Sequence, residues 1–169
     1  MTQAADIVDF AMRMEQEAGD FYARFAQEVR RESVRVLLLY LADWERGHFR
    51  YLQAHRNALR EKGRWGESVS PPLDAKEGKN ILEKARGGEG IELPIQECAT
   101  DLGVLRIALS MEKDFAAFYE NAAAKMEDPE AGRILQELAR WEQGHMDMIL
   151  EELESLQKDF KASMGFEPF

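Results

Sequence analysis

Glutamate and histidine three residues apart on a helix fall on one face, one turn from each other, and a carboxylate beside an imidazole can grip a metal ion. This chain contains that pair twice, in "WERGH" (residues 44–48) and "WEQGH" (residues 141–145), which supply Glu45 with His48 and Glu142 with His145. The two words stand 97 positions apart and hold two of the chain's three histidines. Thirty positions upstream of each pair is a further glutamate, Glu15 and Glu112. One glutamate from each of two helices, with Glu-x-x-His from each of two others, is a set that binds two metal ions inside a helical bundle. The candidate ligands are therefore Glu15, Glu45, His48, Glu112, Glu142 and His145.

Electrostatics requires a cation at such a place. Four carboxylates sharing an interior repel one another, and an unpaired buried ion costs several kcal/mol, so without metal the glutamates should take up protons. Two divalent ions cancel four negative charges, with neutral imidazoles completing the shells. Mixed oxygen and nitrogen donors suit iron or manganese, and zinc also binds such sets. The ions are expected about 3.5–4 Å apart, bridged by carboxylates.

One Glu-x-x-His in a glutamate-rich chain is weak evidence of metal, and duplication of a purely structural hairpin would also repeat a word. A structural repeat, however, has no need of charged residues where the apolar stripe should continue. Along the second helix Leu38, Leu41, Glu45, His48 and Leu52 follow helical spacing, so the charged pair interrupts a core face. Tyr22 and Tyr119 each follow their glutamate by seven positions, where a hydroxyl can bond a ligand carboxylate on a neighbouring helix or simply line the core edge. Trp44 and Trp141 read first as packing residues and second as walls against water. Gly47 and Gly144 each cost about 1 kcal/mol relative to alanine inside a helix, so their repetition predicts a close approach to the backbone. His55 has Glu152 at its repeat position and reads as a surface histidine or one lying behind the ligands. Met12, Met14, Met111, Met146 and Met148 read as adaptable core filler, and Cys98, the single cysteine, as a small core residue.

Helices must position these residues. Four segments carry helical periodicity, and none reads as a strand. The first runs from about Asp6 to Val29, with Ile7, Phe10, Met14, Phe21, Phe25 and Val29 as its apolar stripe. The second runs from about Ser33 to Leu59, stopping before Gly63. The third runs from about Ile95 or Asp101 to Met126, and the fourth, capped by Asp128 with Pro129 in its first turn, extends to about Phe160. Residues 63–94 contain a Pro pair and a Gly pair and form a connector, within which residues 74–87 are expected to make a short helix. Residues 161–169 form a tail.

The 97-residue shift also aligns Met14–Glu15 with Met111–Glu112, Phe21–Tyr22 with Phe118–Tyr119, and Leu38, Leu41 and Ala42 with Leu135, Leu138 and Ala139. The unit is a helical hairpin used twice, at about residues 5–62 and 95–160. Two hairpins that bury their apolar faces against each other make a single all-α domain, a four-helix bundle. About 30 connecting residues can span a helix of about 25 residues, about 37 Å, which allows the second and third helices to run parallel.

Composition narrows the partners. A formal charge of −10 and a pI of about 4.9 argue against nucleic acid and against an anionic membrane face. The first residues lack a signal-peptide pattern, no stretch reaches 18 uninterrupted apolar residues, and one cysteine permits no internal disulfide, so a cytoplasmic protein is expected.

The motifs "MEQEAGDFY" and "MEKDFAAFY", with "WERGH" and "WEQGH", resemble those of the ferritin-like superfamily and, within it, the rubrerythrin-like di-iron proteins, over about residues 5–160. The resemblance implies an up, down, down, up bundle and a centre of two irons that reacts with hydrogen peroxide or dioxygen. It implies that Glu45 and Glu142 bridge the ions, that Glu15 and Glu112 are terminal ligands, and that His48 and His145 each bind one iron. It also implies a homo-oligomer such as a dimer. Two departures stand out. The rubredoxin domain's two Cys-x-x-Cys pairs have no counterpart, so electrons for a catalytic cycle are expected from a separate donor. The extra carboxylate found in rubrerythrins one turn after the third-helix glutamate is replaced by Phe115, which leaves a six-ligand set closer to the bacterioferritin site. The expected function is a di-iron oxidoreductase. The alternatives are a ferroxidase or iron-storage protein, and a non-catalytic metal-dependent interaction or sensor module.

Overall fold

The computed structural model describes residues 2–66, 83, 85–86 and 95–163. Four long helices account for nearly all of them: α1 (Thr2–Phe25), α2 (Glu32–Lys62), α3 (Ile95–Ala124) and α4 (Pro129–Ser163). No strand occurs among the described residues. The expected helix at 74–87 lies outside them, except that residues 83, 85 and 86 are helical; most of the connector and residues 164–169 of the tail also lie outside.

Local chemistry sets the helix ends. α1 stops four residues earlier than its periodicity predicts, because residues 26–28 tighten into a turn whose N–H groups still reach back to Tyr22, Arg24 and Phe25. α2 ends at Gly63, whose φ of 66° is the left-handed conformation glycine adopts without strain, and whose N–H bonds the Leu59 carbonyl at 3.1 Å. α4 starts as expected: the Asp128 Oδ1 accepts the Glu130 N–H at 2.9 Å. At its N-terminus α2 has no side-chain cap of its own. Instead the buried Asp101 carboxylate of α3 accepts the N–H groups of Arg30 at 3.0 Å and Arg31 at 2.8 Å, placing a negative charge at the positive end of α2.

Cross-contacts fix the topology. Between α1 and α3, Tyr22 meets Glu112 while Glu15 meets Tyr119, so one sequence rises as the other falls. Between α2 and α4, Ser33 meets Glu152 and Tyr51 meets Glu137, again antiparallel. With short turns inside each hairpin, α2 and α3 must run parallel, and the bundle is up, down, down, up. This is a ferritin-like four-helix bundle, packed most extensively within each hairpin, α1 on α2 and α3 on α4.

The core is two apolar layers with a charged layer between them. One contains Leu37, Leu38, Leu41, Leu105, Ile149 and Leu156; the other contains Ala11, Leu52, Ile134, Leu135 and Leu138. Each fully buried leucine or isoleucine contributes about 1.5–3 kcal/mol, and these layers offset the cost of the charges they enclose. The inward face of α1 differs from the expected stripe. It is Val8, Ala11, Glu15, Ala18, Tyr22 and Ala26, while Ile7, Met14, Phe21 and Phe25 are half-buried and Phe10 is 45% exposed. Small residues on this face pack directly on α2: a Cβ on Gly19 would be in contact with the Glu45 Cβ at 3.4 Å and the Ala42 carbonyl oxygen at 3.5 Å, which leaves little room for a longer side chain. Of the methionines read as core filler, Met148 is buried and Met12, Met14, Met111 and Met146 are half-buried. The Cys98 side chain is outside the described set.

Candidate metal centre

Each hairpin delivers three candidate ligands to the middle layer, and all six are buried. The helical spacing that places Leu38, Leu41 and Leu52 inward places Glu45 and His48 inward too, as the interrupted stripe predicts. Ligand atoms of Glu45, His48, Glu142 and His145 all lie within 4.8 Å of one another.

Two histidine nitrogens organise the charges. The His48 Nδ1 lies 3.0 Å from Glu45, 3.2 Å from Glu142 and 3.3 Å from Glu15. The His145 Nδ1 lies 3.1 Å from Glu142, 3.2 Å from Glu45 and 3.2 Å from Glu112. Glu45 and Glu142 thus each aim one oxygen at each histidine, whereas Glu15 reaches only His48 and Glu112 only His145. The two imidazoles stack with centroids 5.1 Å apart and planes 8° apart.

The donor set fits a pair of cations. One Nδ1 carries at most one proton and cannot serve three carboxylates. Accordingly Glu45 Oε1 and both Glu142 oxygens have no hydrogen-bond partner among the described residues, although a histidine nitrogen is close. Buried carboxylate oxygens in that condition are stabilised by metal or by protons. Burial, then the charges of Glu142 and Glu45, raise the Glu15 pKa well above the usual carboxylate range; burial and Glu45 raise that of Glu112. Burial opposes charging of the histidines, but Glu142, Glu15 and Glu45 around His48, and Glu112 and Glu45 around His145, outweigh it and raise both. For Glu45 and Glu142 burial is again the largest influence and acts upward. The nearby histidines bring both below the ordinary value, at Glu142 against the added upward push of Glu45.

The surroundings hold these groups in place. The Tyr22 hydroxyl donates to Glu112 Oε1 and the Tyr119 hydroxyl to Glu15 Oε1, each across to the other hairpin, leaving Oε2 to face the histidine. Burial, then the accepting glutamate, raises both tyrosine pKa values, so these are proton donors. The tryptophans do more than the packing expected of them. Trp44 stacks on His145 (4.5 Å, 13°) and Trp141 on His48 (5.2 Å, 15°), so each hairpin's indole covers the other's imidazole. Periodicity marks these indoles as apolar but carries no sign of the exchange.

Two expectations are corrected. A Cβ on Gly144 would meet nothing within 4 Å, so no close approach to the backbone occurs there; a Cβ on Gly19 would make ordinary contact with the turn carrying Glu45. His55 is not at the surface: it is 1% exposed, edge-on to Tyr51 at 4.5 Å, and neither ring nitrogen has a hydrogen-bond partner among the described residues. Its repeat mate Glu152 is also buried, accepting from Ser33 Oγ at 2.5 Å and from the connector's Arg86 at 2.7 Å.

Among the described residues no helix is long and apolar enough to cross a membrane. No curated protein and no solved structure matches the chain. The family model described as Rubrerythrin matches residues 6–153, which include all six candidate ligands, both tyrosines and both tryptophans. A bundle of this topology, a buried layer of four carboxylates and two imidazoles, and a family match over most of the sequence agree, and the chain belongs to the rubrerythrin family.

Proposed function

We propose that this protein is a non-haem di-iron oxidoreductase that reduces hydrogen peroxide or dioxygen, with Glu15, Glu45, His48, Glu112, Glu142 and His145 as its metal ligands. The observation that carries the reading is the pair of glutamates that each face both histidines. Glu45 and Glu142, which face both histidines, would be shared by the two ions, Glu15 and Glu112 would each serve one ion, and His48 and His145 would each give a nitrogen to one ion. When bound, two ferrous ions supply two electrons to the oxidant. The chain's own residues prepare the place for that chemistry. Tyr22 and Tyr119 fix the terminal carboxylates by keeping a proton on Oε1, while Trp44, Trp141 and the flanking apolar layers exclude water and strengthen every electrostatic interaction inside. Electrons for repeated turnover come from a separate donor, a reading supported by the lack of Cys-x-x-Cys pairs in this sequence, and the family resemblance supports a homo-oligomer as the working form.

A second reading, oxidation of Fe(II) for handling or storage, draws support from Phe115, which stands where an extra carboxylate would make the two ion positions unequal. One experiment separates the readings: load Fe(II) anaerobically, count metal per chain, then follow the visible absorption after adding one equivalent of peroxide or of dioxygen. Two irons with the faster reaction towards peroxide supports the oxidoreductase. Faster reaction with dioxygen, with assembly into a large shell, supports iron handling. Fewer than two irons, or equal retention of zinc in competition, sinks both.

A further inference from the structure

The repeat is closely matched at the metal layer and breaks down beyond one of its tryptophans. Trp141, stacked on His48, meets Tyr51 edge-on at 5.0 Å; Tyr51 meets His55 edge-on at 4.5 Å; and the His55 ring lies 6.2 Å from Trp65. Tyr51 and His55 have Met148 and Glu152 at their repeat positions, so this file of rings exists on one side only. The Tyr51 hydroxyl donates to Glu137 at 2.5 Å, and Glu137 is held by Arg133 at 2.6 Å. The Trp65 indole donates to Asp128 at 2.6 Å and borders a cleft of about 320 Å³ lined also by Leu59, Gly63, Arg64 and Glu127.

Resting on the redox reading of the metal centre, we propose that Trp141, Tyr51, His55 and Trp65 are an electron relay between the His48 side of the centre and the cleft at Trp65, where a small one-electron donor acts. Rings in edge or face contact couple electronically, and these spacings fall in the ordinary range of aromatic contact. What distinguishes the file from mere packing is the place for a proton. A phenol that loses an electron must lose its proton too, and Glu137 is positioned to take it and return it. When an electron moves from Tyr51 to an oxidised Trp141, the phenol proton passes to the Glu137 carboxylate. When the donor refills Tyr51 through Trp65 and His55, the proton goes back. The oxidant is the dioxygen of the proposed reaction: it accepts four electrons and four protons to leave two waters, two ferrous ions supply two of the electrons, and the relay brings the other two from the donor one at a time. His55, buried and without a hydrogen-bond partner among the described residues, stays neutral and serves as a bridge. The cleft is of the size that accepts small ligands, about 300 Å³ and above.

The opposite side gives a control. His145 stacks on Trp44, and Trp44 meets the half-buried Tyr40 at 5.2 Å. Fe(II)-loaded protein is treated with dioxygen without reductant, frozen, and examined by electron paramagnetic resonance, while oxidised residues are mapped by mass spectrometry. The expected result is a tyrosine radical that falls about tenfold or more in Tyr51→Phe, persists in Tyr40→Phe, and is accompanied by oxidation at Trp65 that also falls in Tyr51→Phe. Re-reduction by reduced methyl viologen is expected to slow about tenfold in Trp65→Phe. Iron content per chain is measured in every sample. If iron is bound and oxidised but the radical survives Tyr51→Phe, or disappears in Tyr40→Phe, the relay is wrong and the di-iron reading stands. If iron is not bound, the di-iron reading fails and takes the relay with it.

Discussion

Tyr22 on α1 donates its hydroxyl proton to Glu112 on α3, 90 positions away in sequence, and Tyr119 on α3 returns the same bond to Glu15 on α1. Each hairpin therefore orients a buried glutamate of the other. With the exchanged indoles over the imidazoles, this means that neither hairpin can hold its own three donors in working geometry without the other.

Removing one of these hydroxyls should be felt at one ion. Tyr22→Phe or Tyr119→Phe keeps the ring but frees a carboxylate oxygen, and loss of a group that orients a ligand typically costs about 10–100-fold in metal affinity. The expected outcome is one weakened and one near-normal site in each single variant, and two weakened sites in the double variant. Competitive titration against a chelator measures this; unchanged affinities would show that the apolar walls alone set the carboxylates.

Removing a glutamate that faces both histidines should be felt at both ions. Glu45→Ala and Glu142→Ala are each expected to abolish binuclear binding, leaving at most one metal per chain by elemental analysis. A variant that retains two would refute the bridging assignment.

Stability of the metal-free protein should depend on pH in a stated direction. His48, His145, Glu15 and Glu112 all have raised folded-state pKa values. Their contribution is fully present below the unfolded-state pKa and is lost as pH rises through the folded one, which for the histidines means losses that begin above about pH 6.5. Glu45 and Glu142, lowered in the folded state, act in the opposite sense, and their contribution is lost in acid as pH falls below about 4.3. A divalent ion needs the deprotonated set and releases these protons on binding. The melting temperature without metal is thus expected to fall as pH rises above about 6.5, and the gain on adding metal to widen in the same direction. Calorimetry with and without metal tests this; a gain independent of pH would mean that metal and protons do not compete.

Two glycines make opposite predictions. Gly144→Ala adds a methyl group to open space within a helix and should stabilise by about 0.5–1 kcal/mol. Gly19→Leu forces bulk between α1 and the Glu45 turn and should destabilise by about 1–3 kcal/mol. Thermal denaturation compares them; a neutral Gly19→Leu would show that α1 can move away from α2 at little cost.

The buried layer of carboxylates and imidazoles is legible because its members are charged residues at core spacing, written twice, and such a set calls for a cation or protons. Topology followed from the connector's length. The stripe of α1 was misread because size was taken for inwardness: a helix that approaches its neighbour closely turns its alanines inward and leaves Phe10 and Phe21 at the edge. The sequence leaves His55 between the surface and the interior because its partners, Tyr51 on its own helix and Trp65 beyond Gly63, meet only after α2 has ended in its left-handed turn. The exchange of indoles depends on how two hairpins face each other, which no local pattern records.

Because the layer repeats with the hairpins exchanged, it has an approximate axis of symmetry between the two stacked imidazoles. Two identical hairpins would suffice to build it, so this chain has the form of a homodimer whose halves have been tied together. Tying them changes what mutation can do. In a true dimer every substitution appears twice, and a ring placed on one side appears on the other. Once joined, each half is free to differ, and Tyr51 and His55 facing one way while Met148 and Glu152 face the other is what such freedom leaves behind.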